Sequence, residues 1–121
     1  MNTTVYADIR EMKKYSIIYL KNTTELINLQ NKYETDELTT VFNRNVALNK
    51  IDEFISKNKT KFSIIMGDID DFKLINDTYG HIVGDMVLNK IGKILKENLN
   101  DSIIGRYGGE EFIILLSTSK D

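Results

Sequence analysis

Two apolar runs, Ile103-Ile104 and Phe112-Ile113-Ile114-Leu115-Leu116, flank the pair Gly108-Gly109. Apolar strands on either side of a glycine pair mark a tight β-hairpin, because glycine tolerates the positive φ angles of such turns. The chain must therefore double back on itself here. The returning strand opens on two adjacent carboxylates, Glu110 and Glu111, before it becomes wholly apolar. Glycine at the tip also leaves the backbone open to the approach of a phosphate or a metal. A second acidic cluster, Asp68-Ile69-Asp70-Asp71, ends another apolar run, Phe62-Ser63-Ile64-Ile65-Met66-Gly67. If the two strands pair, their carboxylates converge at one end of a sheet. Convergent acids repel unless a divalent cation sits among them.

The remaining chain supplies helices to cover that sheet. Residues 5–36 carry neither Pro nor Gly and predict one long helix. Val5, Met12, Tyr19, Leu26 and Tyr33 recur every seven residues, with Tyr15 and Leu29 at d-type positions and Asp8 and Asn22 interrupting the seam. Such a seam fits a dimeric coiled-coil stalk, or else a helix packed on its own domain. A helix is predicted over 43–57, with Val46, Ile51, Phe54 and Ile55 able to share a face. A buried strand follows over 61–69, then a short helix over 71–76 and a loop over 78–82 carrying Gly80. A second amphipathic helix over 84–98 has Val87, Leu88, Ile91, Ile94 and Leu95 on one stripe, and Asn100-Asp101-Ser102 turns the chain into the hairpin. This order predicts an α/β (α+β) sandwich with an antiparallel-rich sheet.

Composition narrows the function. A chain of 121 residues with 41% hydrophobic content suits one domain with an appended helix. A net charge of −2 leaves no electrostatic footprint for nucleic acid. The absence of cysteine and the single histidine exclude a thiolate or multi-histidine metal site, and fit a reducing cytoplasm. No run approaches the ~18 apolar residues of a spanning helix.

Three blocks of this sequence resemble the GGDEF family, the diguanylate cyclases. Gly108-Gly109-Glu110-Glu111-Phe112 matches its signature in a Glu-for-Asp form. The segment from Asp68 to Asp85, with Phe72-Lys73, Asn76-Asp77, Gly80-His81 and Gly84-Asp85, matches its second block. Asp36-Glu37-Leu38-Thr39 with Asn43-Arg44 resembles its opening motif. The resemblance implies a palm-like ferredoxin-type cyclase fold over 36–121, preceded by a signalling helix over 1–35 through which two copies form a homodimer. It also implies that a full domain continues past Asp121.

By resemblance, Asp68, the Ile69 carbonyl and Glu110, with Glu111 beside them, hold magnesium or manganese. Magnesium takes oxygen ligands and leaves room for substrate phosphates, so two or three protein oxygens suffice. The competing structural reading is that Asp68 caps the following helix. An EF-hand is excluded, because Phe72 stands where an oxygen ligand is required. Phe72-Lys73 opens a helix, where free N–H groups attract phosphate, and Lys73 adds a charge suited to phosphoryl transfer. Asn76 and Asp85 suit guanine: a carboxylate accepts from N1–H and the exocyclic amine, a donor pair adenine lacks. Turn and helix-start chemistry is their plainer alternative. His81 either touches substrate or packs the loop. Arg106 and Tyr107 match the family's Arg-Tyr and are expected to be structural, with Arg106 ordering the acids; Asn43 and Arg44 are expected to hold the domain together.

The reaction implied is condensation of two GTP into cyclic dimeric GMP and pyrophosphate, with Glu110 or Glu111 accepting a proton and Lys73 assisting. Leu99 and Ser102 stand where the family's product-inhibition site has Arg and Asp, so feedback there is not expected. Two rival readings are a non-catalytic GTP-binding or dimerising module and a fragment of another palm-type cyclase or polymerase.

Overall fold

The computed structural model describes residues 25–30, 32–57 and 61–117. The chain divides into two units between Tyr33 and Glu34. In the first, residues 25–30 and 32–33 are helical, and Leu26, Leu29 and Tyr33 of the seven-residue pattern are exposed. Val5, Asp8, Met12, Tyr15, Tyr19 and Asn22 lie outside the described residues.

The second unit runs α1 (Arg44–Lys57), β1 (Phe62–Asp68), α2 (Phe72–Tyr79), α3 (His81–Asn98), β2 (Ile103–Arg106) and β3 (Glu111–Ser117). This is the element order the sequence predicts. The sheet has the order β1-β3-β2, and both pairings are antiparallel. Successive side chains on a strand face opposite ways. On β3, Phe112 and Ile114 therefore enter a core with Val41, Phe72, Leu88 and Ile104. Ile113 and Leu115 enter another with Ala47 and Ile51 of α1. Helices cover both faces of the central strand, which is why its sequence is apolar without alternation.

Four expectations are corrected. β1 is not buried: Ile64, Ile65 and Met66 are 45%, 44% and 52% exposed. Among the described residues it pairs with one strand, β3, and an apolar run does not reveal how many neighbours a strand has. The buried face of α1 centres on Ala47 and Ile51, while Ile55 is exposed and Phe54 meets Phe62 edge to face at 6.2 Å. The loop predicted over 78–82 shrinks to Gly80, whose φ of 86° bends the chain directly from α2 into α3. The hairpin connection is Tyr107-Gly108-Gly109-Glu110, and neither glycine adopts a left-handed φ. A four-residue connection closes without one, and Tyr107 N–H donates to the Glu111 carbonyl at 2.8 Å.

Local chemistry fixes the outer parts. Asn43 Oδ1 accepts from Val46 N–H at 3.1 Å and caps α1. Phe42 lies along β2, donating to the Ile104 carbonyl (3.0 Å) and accepting from Arg106 N–H (2.9 Å).

Candidate functional site

The β1–β3 register carries the acids together. Asp68 lies directly opposite Glu111 in the antiparallel ladder. Residues so paired share a face of the sheet, with Cβ atoms about 5 Å apart. One step further, Ile69 N–H donates to the Glu110 carbonyl at 3.3 Å. Asp68, Ile69, Glu110 and Glu111 thus occupy one end of two neighbouring strands. Asp68 does not cap α2. That position belongs to Asp71, in a left-handed conformation (φ 54°, ψ 26°) and with no side-chain capping bond. The Ile69 carbonyl accepts a long bond from Phe72 N–H (3.3 Å), which leaves its second lone pair free.

Arg106 fastens the turn that presents Glu110 and Glu111. Its Nη1 donates to both Asp36 carboxylate oxygens at 3.1 Å. Its Nε donates to the Gly108 and Gly109 carbonyls (3.2 and 3.1 Å), and Nη2 donates to the Gly109 carbonyl at 2.7 Å. Arg106 was expected to order the acids; it grips the backbone beneath them. A side chain on Gly108 would meet Glu111 Oε2 at 2.5 Å and displace that exposed carboxylate. Burial pushes the Asp36 carboxyl up. Bonds from the Thr39 hydroxyl (2.7 Å) and amide (2.9 Å), with the Arg106 charge, outweigh that and hold it below its ordinary 3.8. Arg44 stacks on the Tyr107 ring at 4.3 Å and donates to its hydroxyl at 3.3 Å, tying α1 to the same turn.

The predicted nucleotide residues fall on α2 and α3. Lys73 is exposed on the first turn of α2. The Phe72 ring is buried in the core, so only its backbone faces the helix start. Asn76 is half-buried and rests against Gly84, the residue before Asp85. Asp85 is exposed and, with Leu38, Ile82, Met86, Asn89 and Lys90, lines a cavity of about 580 Å³. His81 is exposed at the start of α3.

A family model described as "Diguanylate cyclase, GGDEF domain" matches residues 33–121. The chain belongs to the GGDEF family. It is 42% identical over 84 residues to the probable diguanylate cyclase DgcT of Escherichia coli, covering 68% of this chain and 19% of that protein. It is 52% identical over 64 residues to diguanylate cyclase A of Treponema denticola, covering 52% of this chain and 17% of that protein. The chain therefore spans less than a fifth of either relative. Its fold is similar to the coiled coil and GGDEF domain of DgcB from Caulobacter crescentus, solved with c-di-GMP. The TM-score is 0.77 at 23% identity, covering 92% of this chain and 60% of that one.

GGDEF diguanylate cyclases generally use a divalent metal. Here the donor set is all oxygen, and no lysine or arginine among the described residues pairs with Asp68, Glu110 or Glu111. Carboxylates without a protein counter-charge suit a hard cation that completes its shell from phosphates and water. Among the described residues no three His, Cys, Asp or Glu side chains are gathered into a ready-made metal cage. Sequence reasoning gave Asp36 no role and Gly84 none. Contact between positions seventy apart leaves no local pattern, and a glycine within a helix offers only its unfavourable propensity as a signal.

Proposed function

We propose that this GGDEF domain provides one half-site of a diguanylate cyclase, condensing two GTP into cyclic dimeric GMP with loss of two pyrophosphates. The observation that carries the reading is the register that sets Asp68 opposite Glu111, with Ile69 bonded to Glu110 on the next step. Asp68, the Ile69 carbonyl, Glu110 and Glu111 would hold magnesium or manganese, whose chemistry there is to neutralise phosphate charge and acidify a ribose hydroxyl. In each condensation a 3′-oxygen forms a bond to the α-phosphorus of the other nucleotide, and the bond from that phosphorus to pyrophosphate breaks. Glu110 or Glu111 accepts the hydroxyl proton. Lys73 stabilises charge on the terminal phosphates. Asp85 accepts from guanine N1–H and the exocyclic amine, the Asn76 carboxamide reads the remaining edge, and His81 lies beside them. One domain holds one GTP, so two must face each other. The helix over 1–35 is proposed to join the copies, with 36–121 carrying the chemistry.

The experiment is incubation of the chain with GTP and magnesium, followed by chromatography of the nucleotides. Cyclic dimeric GMP that is lost in Glu110→Ala, Glu111→Ala and Asp68→Asn supports the reading. GTP binding without product would favour a second reading, a non-catalytic nucleotide-binding module. The lack of a ready-made cage of three acidic side chains among the described residues favours that alternative.

A further inference from the structure

We infer that Gly84 is a positioning residue for guanine recognition: its missing side chain is the slot in which the Asn76 carboxamide lies. The inference rests on the proposed reading of Asn76 as a contact to the base. Gly84 is buried in the first turn of α3, where alanine would be the better helix former. A Cβ at this position would overlap Asn76 Oδ1, lie 2.9 Å from Asn76 Cγ and lie 3.3 Å from Phe72 Cζ. Of these neighbours the Phe72 ring is locked in the core and only 8% exposed, whereas Asn76 is half-buried. The clash is therefore relieved by swinging Asn76 away. Among the described residues no hydrogen bond takes up the Asn76 carboxamide, so only packing against α3 sets its direction. Its donor and acceptor stay available, and Gly84 aims them beside Asp85.

The test is a double-mutant cycle on the 121-residue chain, with GTP and ATP affinities measured by calorimetry and Tm by thermal melting. Gly84→Ala and Asn76→Ala should each lower GTP affinity about tenfold, the worth of one or two neutral hydrogen bonds. ATP affinity should not change. The double variant should bind GTP no worse than either single one, and Gly84→Ala should still melt in a single cooperative transition. Wild-type GTP affinity in Gly84→Ala beside a loss in Asn76→Ala would overturn the inference and leave the guanine reading standing. Losses that multiply in the double variant would overturn it too, as would an unfolded Gly84→Ala. The double variant, which lacks the clashing amide, separates a local clash from a general intolerance of side chains. Equal GTP affinity of Asn76→Ala and the unaltered chain, or no GTP binding at all, would remove the guanine reading itself and the inference with it.

Discussion

β1 and β3 are both seven-residue strands, their apolar stretches are alike in sequence, and their ends carry the acids, yet they live in different environments. Phe112, Ile113, Ile114 and Leu115 of β3 are between 1% and 7% exposed, while Ile64, Ile65 and Met66 of β1 are about half open to solvent. β3 has a strand on each side and helices over both faces. Among the described residues β1 has one neighbouring strand. The same contrast holds at their acidic ends. The turn before β3 is gripped by Arg106, which Asp36 holds in turn, whereas β1 runs into Asp71, left-handed and without a side-chain cap. A site shared by these strands therefore has one firmly held half and one held chiefly by the ladder between them.

The largest test of this contrast removes packing from the firm half. Leu115 is 1% exposed and packs with Ala47, Ile51 and Ile113. Leu115→Ala should cost about 2–5 kcal/mol of stability, measured by urea unfolding. A loss below about 1 kcal/mol would mean that β3 is not the centre of the core.

The fastening of the turn is next in size. Arg106 and Asp36 side chains are 20% and 23% exposed, so the pair is only partly screened. Asp36→Asn should cost about 1–3 kcal/mol near pH 7, the range for bonds to charged groups. Its carboxyl is held below 3.8 in the folded chain. The depressed value stabilises the fold above the unfolded carboxylate pKa of about 3.9, and that contribution disappears as pH falls through the lower folded value. Melting curves between about pH 2 and 7 should show this acid loss in the unaltered chain, reduced in Asp36→Asn. An identical acid limb in both would show that Asp36 is not held low.

Much of this was legible in the sequence because it is written locally. The element order followed from the spacing of apolar residues and from a polar turn at Asn100-Asp101-Ser102. The pairing of the strand ends that carry Asp68 and Glu111 followed from acids placed at strand ends around a hairpin. What the sequence concealed depends on neighbours. Ile64-Ile65-Met66 has the composition of a buried strand, and only topology reveals it as an edge. Gly108-Gly109 suggested a turn of positive φ, but the connection is two residues longer and neither glycine has a left-handed φ. Arg106 finds Asp36 seventy positions away, a pairing no window of sequence contains.

The smallest expected effect is the sharpest comparison, because it uses one residue type on both strands. Ile65 and Ile114 face each other across the ladder, on the same side of the sheet, yet they are 44% and 7% exposed. Shortening each by one methyl group removes the same atoms from two environments. Ile114→Val should cost about 0.5–1.5 kcal/mol. Ile65→Val should cost no more than about half of that, since much of its side chain already meets water. Both values come from chemical denaturation at low protein concentration, where an edge strand has least opportunity to pair. Equal losses would mean that β1 is covered in solution and that its exposure belongs to the isolated chain alone. Repeating the Ile65→Val measurement at higher concentration then identifies the cover: a loss that grows with concentration belongs to another copy pairing with the open edge.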